Sequence, residues 1–176
     1  QCLVGSEMCI RDRSYSADGV HLCTVETYDC CIYDGGFGGE RPPKDVVEYP
    51  DREPDLTYEE VCGYQWPLIY RLMGDWHQQH IDWAYTEQTG LARPIVHGVS
   101  LGGFAMRHLI STWFPGQPER MTRFKTRITS PVIPGQTLTT RMWRVGENEG
   151  RFQLVDADAN MTGAKPHLNY GIVEWN

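Results

Sequence analysis

The strongest fold signal in the chain is a helical apolar pattern over residues 99–114. Its apolar residues recur at intervals of three and four, which places them on one helix face: Leu101, Phe104, Ala105, Leu109 and Trp113. After Pro118 the pattern becomes that of strands, in segments 123–128, 138–145, 151–157 and 168–175. A long helix followed by consecutive antiparallel strands predicts an α+β fold.

The residues before this helix predict further elements. Residues 20–33 are rich in β-branched and aromatic residues and predict one or two strands. Residues 57–72 predict a helix, because they offer a cap and two acids in the first turn: Asp55 or Thr57, then Glu59 and Glu60. Asp82 is predicted to cap a short helix that ends at Gly90.

Composition excludes two classes of partner. The formal net charge of −7 argues against general nucleic-acid binding. No apolar run of about 18 residues is present, so we expect no membrane partner. The six cysteines include an adjacent pair, Cys30 and Cys31, and no C-x-x-C spacing. Reduced thiols in a cytoplasmic protein are therefore the better interpretation.

Two dense motifs precede the long helix. Asp75 lies five residues before His80, and an acid and a base on one short turn suit general acid/base catalysis of a small substrate or water. The run Arg93-Pro94-Ile95-Val96-His97-Gly98 then leads into the helix. Backbone N–H groups at such a helix start suit a developing oxyanion, and Gly98 is the candidate donor.

These two motifs carry a family resemblance. Gly74-Asp75-Trp76-His77-Gln78-Gln79-His80-Ile81-Asp82, followed by residues 93–98, resembles the active-site signature of the MaoC-like, type 2 enoyl-CoA hydratases. The family pattern around the acid is Gly-Asp-x-Asn-Pro-x-His, and here His77 replaces the Asn and Gln78 replaces the Pro. The segment 131–138 is similar to a family segment that follows the central helix.

The resemblance implies a fold and a domain organisation. It implies the hot-dog fold, a curved antiparallel sheet wrapped around a long central helix, with a catalytic MaoC-like domain over residues 57–176. Residues 14–40 then resemble the last strands of a truncated first hot-dog half plus its glycine-rich junction at 34–39, and residues 41–56 a linker. We expect residues 1–13 to be non-native or disordered.

The resemblance also implies a reaction: addition of water to trans-2-enoyl-CoA, giving (3R)-3-hydroxyacyl-CoA in fatty-acid metabolism. It implies Asp75, His80 and Gly98 as catalytic residues, with no metal and no cofactor, since coenzyme A is part of the substrate. Candidate substrate-binding residues are His77, Arg93, His97, Arg123, Lys125 and Arg127. The last three alternate on one strand, where they can contact coenzyme A phosphates or form a solvated edge.

The implied partners are an acyl-CoA thioester and another hot-dog half. We expect a homodimer or pairing with a first hot-dog half. The expected location is cytoplasmic, or peroxisomal if the source is eukaryotic.

Three alternatives stay open at this point. The hot-dog domain could be a non-catalytic thioester-binding or assembly subunit. Asp75, His77, His80 and Asp82 could form a metal cluster, since H-x-x-H brings two imidazoles together. Residues 98–102 match G-x-S-x-G, so Ser100 could be the nucleophile of an α/β-hydrolase, with a triad completed from these residues: Asp156 or Asp158, and His167.

Overall fold

The structure, a computed structural model, describes residues 7–30, 46–158 and 165–176. The chain divides into two compact units, residues 1–45 and residues 46–176. Within the described ranges, no helix is long and apolar enough to cross a membrane.

In the described part of the first unit, β1 (Glu7–Tyr15) and β2 (His21–Cys30) form an antiparallel hairpin. Gly19, at φ +86°, turns the chain between the strands. The strand predicted over 20–33 is therefore confirmed for residues 21–30. Residues 31–33, the glycine-rich junction and residues 41–45 of the predicted linker lie outside the described residues.

The hairpin also contains residues that we expected to be non-native or disordered. Residues 7–13 form most of β1, which differs from the expectation of disorder. Their hydrogen-bonding partners come from β2, in a register that pairs Glu7 with Cys30 and Ser14 with Cys23. A segment without local caps or a clear period is thus ordered by its neighbour across the hairpin.

In the second unit, five strands of the described chain form one antiparallel sheet in the order β3-β5-β6-β7-β4. The strands are β3 (Leu56–Val61), β4 (Met121–Ile128), β5 (Thr137–Arg144), β6 (Glu149–Asp156) and β7 (Leu168–Trp175). All four strands predicted after Pro118 are confirmed.

The long helix α3 (Gly98–Trp113) packs against β3, β4 and β5 and confirms the strongest helix prediction. Its buried face meets apolar side chains of the sheet, namely Leu138, Met142, Phe152, Leu154 and Val173. Gly171 on β7 allows that strand to lie close to β6, because a Cβ at this position would collide with the Phe152 carbonyl. The α+β class and the hot-dog arrangement of sheet and central helix are thus confirmed.

The helix predicted over residues 57–72 is wrong in its first part and is confirmed only for residues 66–70. Residues 56–61 form β3, which pairs with β5 from Leu56 opposite Met142 to Val61 opposite Thr137. Helix α1 (Trp66–Tyr70) starts only afterwards, with Pro67 in its first turn. Acids near a cap favour a helix start, but here pairing with β5 outweighs that local preference.

Candidate active site

The predicted acid and base lie in the connection between β3 and α3, residues 62–97. This connection carries α1, two single 3₁₀ turns and α2 (Trp83–Gln88). Gly74, at φ +113°, ends the first 3₁₀ turn and leads into Asp75. Asp82 caps α2 by accepting a hydrogen bond from the Tyr85 N–H at 3.1 Å, as predicted.

His80 is buried at the end of the second 3₁₀ turn, Gln78–His80. Its Nδ1 lies 2.8 Å from the carbonyl oxygen of Ile95. Because a carbonyl can only accept, Nδ1 carries the proton and Nε2 holds the lone pair. The pKa of His80 is lowered below its ordinary value, chiefly because burial penalises the imidazolium, so Nε2 is a free base near neutral pH.

His97 packs face to face with His80. The two ring centroids are 3.6 Å apart at an interplanar angle of 23°, and Tyr70 lies 4.7 Å from the His97 ring. The Nε2 atom of His97 is 3.3 Å from the backbone oxygen of Asp75 and 4.0 Å from its carboxylate. His97 is therefore a buried support beneath His80, and burial lowers its pKa too.

Asp75 completes the cluster. One side-chain oxygen of Asp75 and one ring nitrogen each of His80 and His97 lie within 4.8 Å of one another. The Asp75 side chain is 47% exposed, and its Oδ1 accepts a hydrogen bond from the His77 N–H at 3.3 Å. The acid and the base of the sequence motif thus share one site, which the buried His97 also joins.

This cluster is poorly shaped for a metal. Imidazole lone pairs lie in the ring plane, and the stacked rings of His80 and His97 aim theirs along nearly parallel planes. Of the set proposed from sequence, Asp82 is occupied as the cap of α2, and His77 accepts the Gln79 N–H at 3.3 Å. The donor set suits proton transfer better than tetrahedral coordination.

His80 lines two cavities. The first, here called the Gly98 cleft, measures about 380 Å³ and is lined by residues that include Gln79, His80, Ile95, Gly98, Leu101 and Ile128. The second, the Trp83 cavity, measures about 190 Å³ and is lined by Tyr64, Leu68, His80, Trp83, Arg93 and Ile133 among others. A mostly apolar lining with few polar groups is typical of a small-molecule site.

Gly98 is the first residue of α3 and lines the cleft beside His80. The first N–H groups of a helix have no intrahelical partner, and they point toward the end where the dipole is positive. A Cβ at this position would come 2.8 Å from Cδ1 of Ile128, so glycine leaves space that a side chain would fill. The arrangement offers an N–H donor to an oxygen that gains charge.

The other residues predicted to bind substrate lie in different places around this site. Arg93 lines the Trp83 cavity, and its guanidinium lies 6.0 Å from the Trp83 ring centroid. His77 is exposed beside Tyr85, with ring centroids 5.5 Å apart. His97 lines neither of the two cavities.

The basic residues of β4 are not brought to this site. Neither cavity includes Arg123, Lys125 or Arg127 among its described lining residues. Arg123 instead pairs with Glu174 at 2.7 Å. A register irregularity between Lys125 and Arg127 interrupts the alternation that placed all three on one face.

The nucleophile-elbow alternative is wrong. Ser100 is buried, and its hydroxyl donates to the His97 carbonyl at 2.7 Å. His167 contacts the hydroxyl of Ser130 at 3.0 Å, and Asp156 accepts from the Gln136 side chain. Ser100, Asp156 and His167 thus have other partners, and Asp158 is exposed. The antiparallel sheet also differs from the largely parallel sheet of an α/β-hydrolase.

One residue at the site was missed from sequence. The Gln79 side chain reaches His80, with 3.2 Å between the two Nε2 atoms. The only signal was that Gln78 and Gln79 follow the acid where the family pattern has a proline and an unspecified residue.

Comparisons with known proteins agree with this geometry. The profile of the family described as MaoC like domain matches residues 46–164. The chain is 35% identical over 153 residues to mouse (Mus musculus) peroxisomal multifunctional enzyme type 2, covering 85% of this chain and 21% of that protein. It is 36% identical over 143 residues to 3-hydroxyacyl-thioester dehydratase Y of Mycobacterium tuberculosis, covering 80% and 49%.

Among solved structures, a MaoC-like dehydratase from Phytophthora capsici superposes with a TM-score of 0.84 at 26% identity. The superposition covers 98% of this chain and 58% of that one. The chain spans half or less of the length of the mouse and Mycobacterium tuberculosis relatives. A profile match over most of the chain, supported by these identities, shows that the chain belongs to the MaoC-like domain family.

Proposed function

We propose that this chain is a hydratase and dehydratase of acyl-CoA thioesters in fatty-acid metabolism. It adds water to trans-2-enoyl-CoA and gives (3R)-3-hydroxyacyl-CoA. The observation that carries the proposal is that the Asp75 carboxylate and the histidine pair lie within 4.8 Å, with His80 in a cleft that Gly98 also lines. Relatives named 3-hydroxyacyl-thioester dehydratase Y and probable enoyl-CoA hydratase 2 support the same reaction class.

The proposed step needs a base, an acid and an oxyanion donor. Asp75 and the lone pair on His80 Nε2 hold a water molecule and take one proton from it as its oxygen attacks C3. The electrons of the C2–C3 double bond move toward the thioester oxygen, where the Gly98 N–H stabilises the developing charge. The same acid/base pair then delivers a proton to C2, so one C–O bond and one C–H bond form.

This reaction is redox-neutral. The substrate, water and side chains of this chain supply every atom and proton that it needs, and coenzyme A enters only as part of the substrate. We therefore include no separate cofactor in the proposal.

Residues that bind the rest of the substrate, away from the reacting atoms, are proposed from their positions in the structure. Arg93 is the best candidate for a coenzyme A phosphate, because it is a cation that borders a cavity also lined by His80. The β4 residues Arg123, Lys125 and Arg127 are weaker candidates, since they line neither cavity. Relatives in mouse and Arabidopsis thaliana are named as peroxisomal, which supports a peroxisomal location if the source is eukaryotic.

The partner proposed for this domain is a second hot-dog domain, either another copy of the chain or a separate first half. Exposed apolar side chains in both units support this proposal, among them Val20, Leu22, Leu68, Leu72 and Trp76. Such surfaces usually mark an interaction site.

A substrate assay tests the reaction. The chain is incubated with crotonyl-CoA, and the loss of enoyl absorbance is followed at several pH values. Product passed to (3R)- and (3S)-specific dehydrogenases should be oxidised by the (3R)-specific one. Release of free thiol from butyryl-CoA, the saturated control, should be absent. Thiol release without loss of the double bond would replace hydration with thioester hydrolysis, and no reaction with either thioester would favour a non-catalytic binding subunit.

A further inference from the structure

The backbone of Gln79 is hydrogen-bonded through both its N–H and its carbonyl. Its N–H donates to the Nδ1 of His77 at 3.3 Å, and its carbonyl accepts from the Ile95 N–H at 3.1 Å. The Ile95 carbonyl in turn accepts the Nδ1 proton of His80. The same short stretch of backbone therefore fixes both Gln79 and the ring of His80.

The side chain of Gln79 points to the atom that does the chemistry. Its carboxamide nitrogen lies 3.2 Å from His80 Nε2, and Gln79 lines the Gly98 cleft together with His80. Because Nδ1 of His80 already carries the proton, Nε2 is an acceptor and the carboxamide N–H is its donor. In the free site the donor thus holds the lone pair that must receive a proton, and water takes its place there when the proposed hydration begins.

A carboxamide can serve both forms of this histidine. Neutral His80 presents a lone pair, which needs an N–H donor. Protonated His80 presents an N–H, which needs an oxygen acceptor. Glutamine offers either group after a half-turn of its terminal torsion, whereas glutamate offers only acceptors at neutral pH and methionine offers neither strong function.

We propose that Gln79 is a positioning residue that acts through His80, donating its amide N–H to the neutral base and turning its amide oxygen to the imidazolium. The role rests on the proposed hydratase reaction, in which His80 cycles between these two states. Gln79 thus fixes the ring orientation before water binds to Nε2 and again after the proton has moved there, and water alone contacts Nε2 during the transfer.

A test of this role must take into account the groups that already influence the pKa of His80. The ionisable groups that face it are Asp75, which favours the imidazolium, and His77 and His97, which disfavour it. Burial disfavours the imidazolium more strongly than these neighbours do. Gln79 is uncharged, so exchanging it for glutamate adds one new charge at hydrogen-bonding distance and changes none of the others.

Two measurements on the same variants test the proposal. The first is the titration of His80 by NMR of its ring protons in the wild-type chain, Gln79→Met and Gln79→Glu. The second is the pH profile of crotonyl-CoA hydration. Gln79→Glu should raise the pKa of His80 by about one unit or more, since a nearby carboxylate favours the imidazolium. Gln79→Met should lower it, because the hydrogen bond to the imidazolium is the stronger of the two that this variant loses.

In the assay, the acidic limb of the pH profile should move with the pKa of His80, to higher pH in Gln79→Glu and to lower pH in Gln79→Met. Gln79→Met should lower kcat by roughly tenfold with KM within about twofold, the size of one lost hydrogen bond to a group that becomes charged. Gln78→Met is the matched control: Gln78 is exposed, and its backbone carbonyl bonds to the Ile81 and Asp82 N–H groups. This control should leave both measurements unchanged.

The outcomes separate the two proposals. An unchanged His80 titration in both Gln79 variants, or an equal shift in Gln78→Met, would overturn the role of Gln79. If the wild-type chain hydrates no enoyl-CoA, the hydratase proposal fails, while the NMR titration still decides whether Gln79 controls His80. Gln79→Asn, which keeps the carboxamide but is one methylene shorter, replaces Gln79→Met if that variant does not fold, and the same downward shift is expected.

Discussion

At the scale of single residues, the site depends on a histidine that stays neutral. Burial lowers the pKa of His80, and the Ile95 carbonyl fixes its proton on Nδ1. The free-base form therefore persists to a pH below the ordinary histidine range, near 6.5. Hydration should lose rate only when the pH falls through this lowered pKa, because protonation removes the lone pair on Nε2.

Substitution of the acid or the base should abolish most activity. Asp75→Asn and His80→Gln should each lower kcat by roughly 10²–10⁴, because each removes one partner of the acid/base pair. The double variant should lose less than the product of the two effects, since the residues act as a unit. The measurement is crotonyl-CoA hydration by folded protein, checked by thermal melting.

Ser100→Ala provides the control for these variants. Its hydroxyl donates to the His97 carbonyl, which also accepts the Ser100 N–H at 3.1 Å, so the carbonyl stays paired after the change. Activity should stay within a few fold. Near-normal activity in either Asp75→Asn or His80→Gln would remove that residue from the mechanism.

Residue spacing predicted part of this site. The five-residue step from Asp75 to His80 and the position of Gly98 at a helix start could be seen in the sequence. The stacking of His97 on His80 could not, because it depends on hydrogen bonds between distant segments. The Ile95 N–H bonds to the Gln79 carbonyl, and the Val96 N–H bonds to the Val132 carbonyl at 2.8 Å.

At the scale of elements, β3 shows why one helix was predicted wrongly. Glu59 and Glu60 are good residues for the first turn of a helix, but on a strand their side chains point to opposite faces. Glu60 faces α3, where it binds Arg107 and His108, while Glu59 is exposed. The strand is selected by these contacts with α3 and by pairing with β5, none of which a local pattern records.

The two glutamates should therefore differ in their effect on stability. His108 is fully buried, with Nδ1 2.7 Å from the Thr140 hydroxyl and Nε2 2.9 Å from Glu60. Glu60→Ala leaves that Nε2 without its partner and should lower the free energy of unfolding by about 1–3 kcal/mol. Glu59→Ala loses one long hydrogen bond, from the Thr139 hydroxyl at 3.5 Å, and should lower it by less, about 0.5 kcal/mol. Urea unfolding measures the free energy of unfolding of both variants. Equal losses would mean that the contacts of Glu60 with Arg107 and His108 add nothing to stability.

At the scale of the whole molecule, four of the six histidines are buried: His80, His97, His108 and His167. Burial is the main cause that lowers the pKa of each. The unfolded chain regains the ordinary histidine pKa, so below about pH 6.5 it binds more protons than the folded chain. The free energy of unfolding should therefore be greatest above that pH and fall as the solution is acidified.

Urea unfolding at pH 7.5, 6.5 and 5.5 should show this loss. Each histidine that gains a proton on unfolding contributes a slope of about 1.4 kcal/mol per pH unit. The carboxyl of Glu60, whose pKa is also lowered, adds its loss only at more acidic pH, below about 4.5. His167→Asn should flatten the profile, while His21→Asn, at an exposed position, should not. If the urea concentration at half-unfolding is constant from pH 7.5 to 5.5, the prediction is contradicted.

The last prediction concerns association. The hairpin of the first unit exposes Val20, Leu22, Val25 and Tyr28, since a two-stranded sheet cannot bury its own side chains. In the second unit, the segment around the first 3₁₀ turn exposes a further apolar group: Leu68, Ile69, Leu72, Met73 and Trp76. At about 25 cal/mol per Å², covering roughly 400 Å² of such surface is worth about 10 kcal/mol before the entropic cost of association.

We expect the chain to pair with itself, with two-fold symmetry because one patch must serve both partners. Light scattering over a wide concentration range should show a mass near twice the 20.2 kDa of one chain, or larger aggregates. Leu72→Glu together with Met73→Glu should weaken association if the second unit supplies the contact, since the charges would have to be buried. Leu22→Glu together with Val25→Glu makes the same test for the hairpin. A monodisperse species of 20.2 kDa at every concentration would show that neither surface drives pairing.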